Sequence, residues 1–211
     1  VLGFEGPERA VRARRLLARA LLRGSDAVTL GRSPGRTWAR SRFHTPYLRD
    51  ELLARGVLVD TLETAATWDR LETLHGAVAG ALRESLASRD TPAYVMCHVS
   101  HLYPSGASLY FTYFALQEEG AELEQWRAAK AAASEAILAG GGTITHHHGV
   151  GRDHAPWLGA EAGELWLEAL RAAKGRLDPK GIMNPGKLLG AGIEAGAGEG
   201  TLSHRALRRP G

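Results

Sequence analysis

Apolar and polar positions alternate along this chain in a way that divides it into short strands and amphipathic helices. Residues 1–5 have strand character. Pro7 then occupies a favoured early helix position, and Val11, Ala18 and Leu22 recur at helical spacing. Residues 26–30 form a second short strand candidate, and the Gly-, Arg- and Ser-rich stretch 31–42 reads as a loop. Residues 47–55 suit a helix stopped by Gly56, residues 57–64 alternate as a strand, and residues 68–86 carry a long helical pattern. Strands over 93–101 and 108–115 flank the turn signal Tyr103-Pro104-Ser105-Gly106 and make a hairpin. A helix over 123–138 closes on Gly140-Gly141-Gly142, a last short strand spans 143–148, and a helix over 165–176 ends at Asp178-Pro179. Strands interleaved with helices, with one hairpin, predict an α+β fold: an antiparallel-rich, ferredoxin-like sheet covered by helices on one face. One domain is expected over residues 1–189. From about Gly190 the sequence is of low complexity and reads as a tail over 190–211.

Composition narrows the function classes. The chain has 211 residues, of which 44% are hydrophobic, so a sizeable core is expected. With 26 basic against 23 acidic residues the charge is too balanced to imply nucleic acid. The local group Arg9, Arg12, Arg14 and Arg15 reads as a solvated helix face. The single cysteine, Cys97, allows no disulfide within the chain and fits a reducing compartment. No apolar run approaches the roughly 20 residues needed to span a membrane, and no signal peptide is visible. The chain opens Val1-Leu2-Gly3-Phe4-Glu5, without Met, which suggests that it begins inside a longer protein.

Three segments could carry chemistry. In His146-His147-His148-Gly149-Val150-Gly151, a strand would put His146 and His148 on one face and His147 on the other. Three consecutive residues on a strand cannot converge on one ion, so no metal is expected there; contact with a polar substrate or cofactor, and a structural use, both stay open. In Ser108-Leu109-Tyr110-Phe111-Thr112-Tyr113 and the following Phe114, alternation separates Tyr110, Thr112 and Phe114 from Leu109, Phe111 and Tyr113. One of those faces must be core, and Tyr110 can serve packing or catalysis. In Tyr47-Leu48-Arg49-Asp50, Arg49 near a helix start can hold a phosphate or carboxylate in a bidentate contact, or pair with Asp50 at the surface.

Together these segments resemble the alkyldihydroxyacetonephosphate (alkylglycerone-phosphate) synthase family, within the vanillyl-alcohol-oxidase group of flavoproteins. The resemblance runs from about Leu2 to Leu189. It is carried by Gly3-Phe4-Glu5-Gly6, Tyr47-Leu48-Arg49-Asp50, Leu62-Glu63-Thr64-Ala65-Ala66-Thr67-Trp68-Asp69-Arg70, Tyr110-Phe111, the histidine triplet with Gly149-Val150-Gly151, and Asp178-Pro179 through Asn184-Pro185-Gly186-Lys187. It implies a C-terminal substrate (cap) domain of an FAD enzyme that exchanges the acyl group of acyl-dihydroxyacetone phosphate for a fatty alcohol, through an FAD adduct, in ether lipid synthesis. By the same resemblance Tyr110 is the catalytic tyrosine that handles the proton at the reacting carbon. His146, His147 and His148 surround the reacting centre. Arg49 takes the anionic headgroup, and His147 and Asn184 face the cofactor. The implied partners are the two lipid substrates, the N-terminal FAD-binding domain of the same parent protein, a peripheral membrane surface and a second copy of the protein. A cytoplasmic bacterial location is expected, with membrane association. No flavin pyrophosphate loop is visible, since Gly149-Val150-Gly151 is too short a signal, so the chain by itself is expected neither to retain FAD nor to be active.

The pattern also departs from the family. Its animal members differ where Asn184-Pro185-Gly186-Lys187 stands, and have an arginine where His98 stands, which points to a bacterial relative with a substrate of its own. A second reading is an FAD-linked oxidase or dehydrogenase of 2-hydroxy acids. Such enzymes hold a divalent metal through a His-x-Gly-Asp-Gly-Asn-x-His segment and a Glu-His-Gly segment. Here Ser108 and Tyr110 stand in place of an Asn and a His of the first segment and His147 or His148 in place of the Glu of the second, which again predicts no metal. A third reading is a non-catalytic α+β binding module.

Overall fold

The computed structural model describes residues 2–25, 28 and 30–189, with the backbone only at 45 and 46. Two compact units divide the chain, residues 1–55 and 56–211. Of the strand expected over 26–30 only residues 28 and 30 are described, neither of them in a strand, and the tail over 190–211 lies outside the described residues.

The first unit is helical. Pro7 caps α1 (Glu8–Leu21), which runs into a short 3-10 turn, Leu22–Gly24. Arg12 pairs with Glu8 one turn earlier at 3.2 Å, and Arg14 donates to the Glu5 carbonyl at 3.2 Å, so the basic cluster is the exposed helix face its composition suggested. The loop expected over 31–42 is instead a helix, α2 (Ser33–Ser41). Proline in its first turn starts the helix with φ already set, and the Arg42 guanidinium lies over the Trp38 ring at its end. Another first-turn proline opens α3 (Thr45–Ala54), and Gly56, at φ +76°, ends it. Residues 2–5 form no strand, because a strand needs a partner and none pairs with them among the described residues.

In the second unit, β1 (Val57–Thr67), β2 (Tyr94–Ser100) and β3 (Gly106–Leu116) form an antiparallel sheet in the order β1-β3-β2. Between β1 and β2 runs α4 (Trp68–Ala87), and α5 (Glu122–Ala139) follows β3. This is the ferredoxin-like order without its final strand. Register fixes the two faces: Leu62 opposes Phe111, which opposes Cys97, while Glu63 opposes Tyr110, which opposes His98. The first row belongs to the core. It packs with Leu71, Leu74, Val78, Leu82 and Leu86, spaced three or four apart along α4, and with Ala129, Ala133 and Ile137 of α5. Burial among these side chains pushes the Cys97 thiol up to about 11. At pH 8, Cys97 is therefore expected to react with iodoacetamide far more slowly in the folded chain than in urea; equal rates would contradict its placement.

The strand expected over 143–148 does not form. Only its first residue reaches the free edge of β1, where the Thr143 amide donates to the Ala65 carbonyl at 3.1 Å and the Thr64 hydroxyl donates back to the Thr143 carbonyl at 2.6 Å. The next amide, of Ile144, is taken by the Glu161 carboxylate at 2.7 Å. Glu161 belongs to α6 (Ala155–Ala162), a helix the pattern did not reveal, which leads into α7 (Glu164–Leu177). With its donors used locally, the segment leaves the edge of β1 after Thr143.

Gly142 permits this docking: a Cβ there would sit 2.7 Å from Thr64 Oγ1 and 2.8 Å from Leu74 Cδ2. Gly142→Ala is expected to cost about 1–3 kcal/mol, the usual penalty of overpacking, read as a lower urea midpoint. An unchanged midpoint would show that the loop is not seated as described.

Candidate functional site

The site grows from the sheet face opposite the helices. Tyr110, half-buried at the middle of β3, lies between Glu63 of β1 and His98 of β2. Strand alternation brings these three side chains to one face. Over that face folds the histidine loop. The His148 amide donates to the His146 carbonyl at 2.8 Å around His147, whose φ is +59°. A three-residue turn of this hand is uncommon and strained for a residue with a Cβ. It replaces the alternation of a strand and sets His146 and His147 side by side, with ring centroids 4.1 Å apart. The reason for excluding convergence of these side chains, a strand geometry, is thus removed.

Glu63 is the hub. Its carboxylate is 3% exposed, although its parity places it away from the core. His146 Nδ1 lies 3.3 Å from Oε1 and His148 Nε2 lies 3.2 Å from Oε2, with His101 Nε2 further off at 3.9 Å. Burial by itself would raise the Glu63 carboxyl. Hydrogen bonds from Ser108 and His146, with the charges of His148 and His146, outweigh burial and hold it below its ordinary value of 4.5. A carboxyl depressed in the folded state contributes stability that is fully present above its unfolded value and is lost as pH falls through its folded value. Unfolding free energy is therefore expected to decline below about pH 4.5, and Glu63→Gln is expected to remove part of that decline. Identical pH profiles for the two proteins would refute the hub.

Tyr110 meets His148 edge to face, with centroids 5.4 Å apart. The Tyr103 hydroxyl lies 3.4 Å from His146 Nε2 and 3.3 Å from His147 Nε2. The turn bearing Tyr103 is itself pinned, since the Trp68 indole donates to the Tyr103 and Pro104 carbonyls, each at 3.2 Å. Asn184, at φ +48°, opens a turn closed by the Lys187 amide at 3.2 Å; one residue on, the Leu188 amide donates to the Gly151 carbonyl at 2.7 Å. The Asn184 segment therefore runs beside the end of the histidine loop. His154, just before α6, buries an Nδ1 without a hydrogen-bond partner; burial first, then the Lys130 charge, lowers its pKa and keeps it neutral.

The fold thus gathers Tyr110, His146, His147 and His148 as one group. Arg49 belongs to the first unit, exposed on α3. Sequence reasoning missed Glu63, His101 and Tyr103 as site residues. The available signal for Glu63 was its pairing, through the sheet register, with Tyr110; for His101 and Tyr103 it was only their nearness to a turn.

Comparison with known proteins defines the class. The family described as FAD linked oxidases, C-terminal domain, matches residues 1–188, and this chain belongs to it. Its α+β architecture with an antiparallel three-stranded sheet is that family's fold. Among individual relatives, the chain is 36% identical over 189 residues to alkyldihydroxyacetonephosphate synthase of Dictyostelium discoideum, covering 90% of this chain and 31% of that protein. The Trypanosoma brucei brucei enzyme of the same name gives the same identity and coverage. A solved structure of alkyldihydroxyacetonephosphate synthase superposes with a TM-score of 0.63 at 31% identity, covering 86% of this chain and 30% of that one. The chain spans about a third of the length of these relatives.

Proposed function

We propose that this chain is the substrate domain of an FAD-dependent enzyme that exchanges the acyl group of acyl-dihydroxyacetone phosphate for a fatty alcohol. The observation that carries the reading is the convergence of Tyr110 with His148 and the carboxylate-anchored His146, in a chain 36% identical to synthases of that name. In this reading Tyr110 moves the proton at the reacting carbon, with His148 against its ring. His146, His147 and His148 line the reacting centre, and Glu63 holds two of those imidazoles in place. Arg49 takes the phosphate headgroup, and His147 and Asn184 lie toward the flavin. The residues suit such a partner, because the face bearing Glu63, Tyr110, Thr112 and His98 presents hydrogen-bonding groups where the opposite face packs the apolar core. FAD, bound by another domain of the parent protein, would supply an electrophilic centre for the exchange. This chain's groups then have a proton to move and a leaving carboxylate to accommodate.

The test is to incubate the parent protein with acyl-dihydroxyacetone phosphate and a fatty alcohol. Stoichiometric release of fatty acid with no net bleaching of the flavin is expected. Bleaching by a 2-hydroxy acid without exchange would favour an oxidase or dehydrogenase. No turnover and no bound flavin would favour a non-catalytic module.

A further inference from the structure

We propose that His101, His146 and His147 bind a divalent transition-metal cation of the zinc class. One ligand atom from each imidazole lies within 4.8 Å of the others. Tetrahedral zinc, with metal–nitrogen distances near 2.0–2.1 Å, places its ligands about 3.3 Å apart, a closure that side-chain rotation can supply. The proposal goes beyond the exchange reaction and requires neither flavin nor substrate.

Three features separate this group from a chance surface run. The first is its origin. His101 follows β2 and stands 45 residues before His146, so the fold and not the triplet creates the cluster. The second is backbone conformation. His101 (φ +47°) and His147 (φ +59°) both occupy the left-handed region, at a cost of roughly 1–2 kcal/mol each. The third is the surrounding shell. His146 Nδ1 lies 3.3 Å from the buried Glu63 carboxylate, and a hydrogen bond donated there directs Nε2 to the cation. That Nε2 faces the same side as His147 Nε2, and the Tyr103 hydroxyl bridges the two. A carboxylate fixing the far nitrogen of a histidine is the usual outer partner of a metal-bound imidazole. Three neutral imidazoles leave the cation its full charge and an open position, an arrangement that takes an anionic oxygen as further ligand. Imidazole donors select zinc, copper, nickel and cobalt over magnesium or calcium.

The probes are Co²⁺ and Zn²⁺ added to the whole chain. One equivalent of Co²⁺ is expected to bind with visible absorption, and Zn²⁺ is expected to displace it. His101→Ala should weaken Co²⁺ binding by at least about tenfold, and Glu63→Gln by about 10–100-fold through the outer shell. His148→Ala should weaken binding less than His101→Ala does, because His148 stands outside the triad and acts only through Glu63. His101→Cys guards against misfolding: it should retain Co²⁺ and add a thiolate-to-cobalt charge-transfer band, which only a direct ligand can produce. Absence of stoichiometric binding, affinity that follows His148 in place of His101, or a His101→Cys protein lacking the new band would each overturn the site.

Discussion

Tyr110→Phe in the parent enzyme is expected to slow acyl release by about 10²–10⁴-fold, the usual contribution of a positioned acid or base, while the fold survives. The substitution removes one oxygen and keeps the ring, so the edge contact with His148 and the pairing of β3 with both neighbours persist. Tyr110 is suited to proton transfer by its setting. It is half-buried in mid-sheet, beside a carboxylate on one strand and an imidazole on the other, and is not one of the aromatic groups that fill the core, such as Phe111 and Tyr113. The measurement is single-turnover fatty acid release together with the thermal midpoint. A rate within threefold (about 0.7 kcal/mol) of the unmodified enzyme would remove Tyr110 from the chemistry. A lowered midpoint with a proportionate loss of rate would make it a packing residue.

Glu63→Ala is expected to destabilise the second unit by about 2–3 kcal/mol, in the range for a charged hydrogen-bonding group lost from a buried position. Most of the loss comes from His146, whose side chain is 17% exposed; His148 and His101 are 42% and 48% exposed, so solvent screens much of their share. Glu63→Gln keeps the shape and one acceptor oxygen and should cost less than half as much. Urea denaturation of the three proteins at pH 7 measures the difference. Equal stability of all three would show that the histidines do not depend on the carboxylate. The same Ala protein should also lose ordered ring contacts between His146 and His147, visible as convergence of their imidazole chemical shifts toward solvent values.

Much of the architecture is local and was therefore readable. The apolar residues of α4 recur at helical spacing, Gly56 and the glycines after Ala139 stop helices, and Tyr103-Pro104-Ser105-Gly106 sits in the connection between β2 and β3. Parity within β3 correctly separated Tyr110 from Phe111 and Tyr113, because strand alternation needs no knowledge of what lies on either side. Where local signals were weak the reading failed. Residues 33–41 lack an apolar stripe yet form a helix begun by Pro34, and residues 155–162 form another. The histidine loop is the instructive failure. Its residues can form a strand, but Glu161 captures the Ile144 amide and Gly142 lets the chain press against Thr64 and Leu74, so the backbone turns inward.

The family, the helix-covered sheet and the candidacy of Tyr110 and the triplet were legible along the chain, since each rests on short-range spacing or a contiguous motif. The burial of Glu63, the joining of His101 and Tyr103 to the triplet, and the common direction of His146 and His147 came from the fold. Those facts depend on contacts between residues tens of positions apart, and a carboxylate takes its charge state and its role from what the fold brings to it.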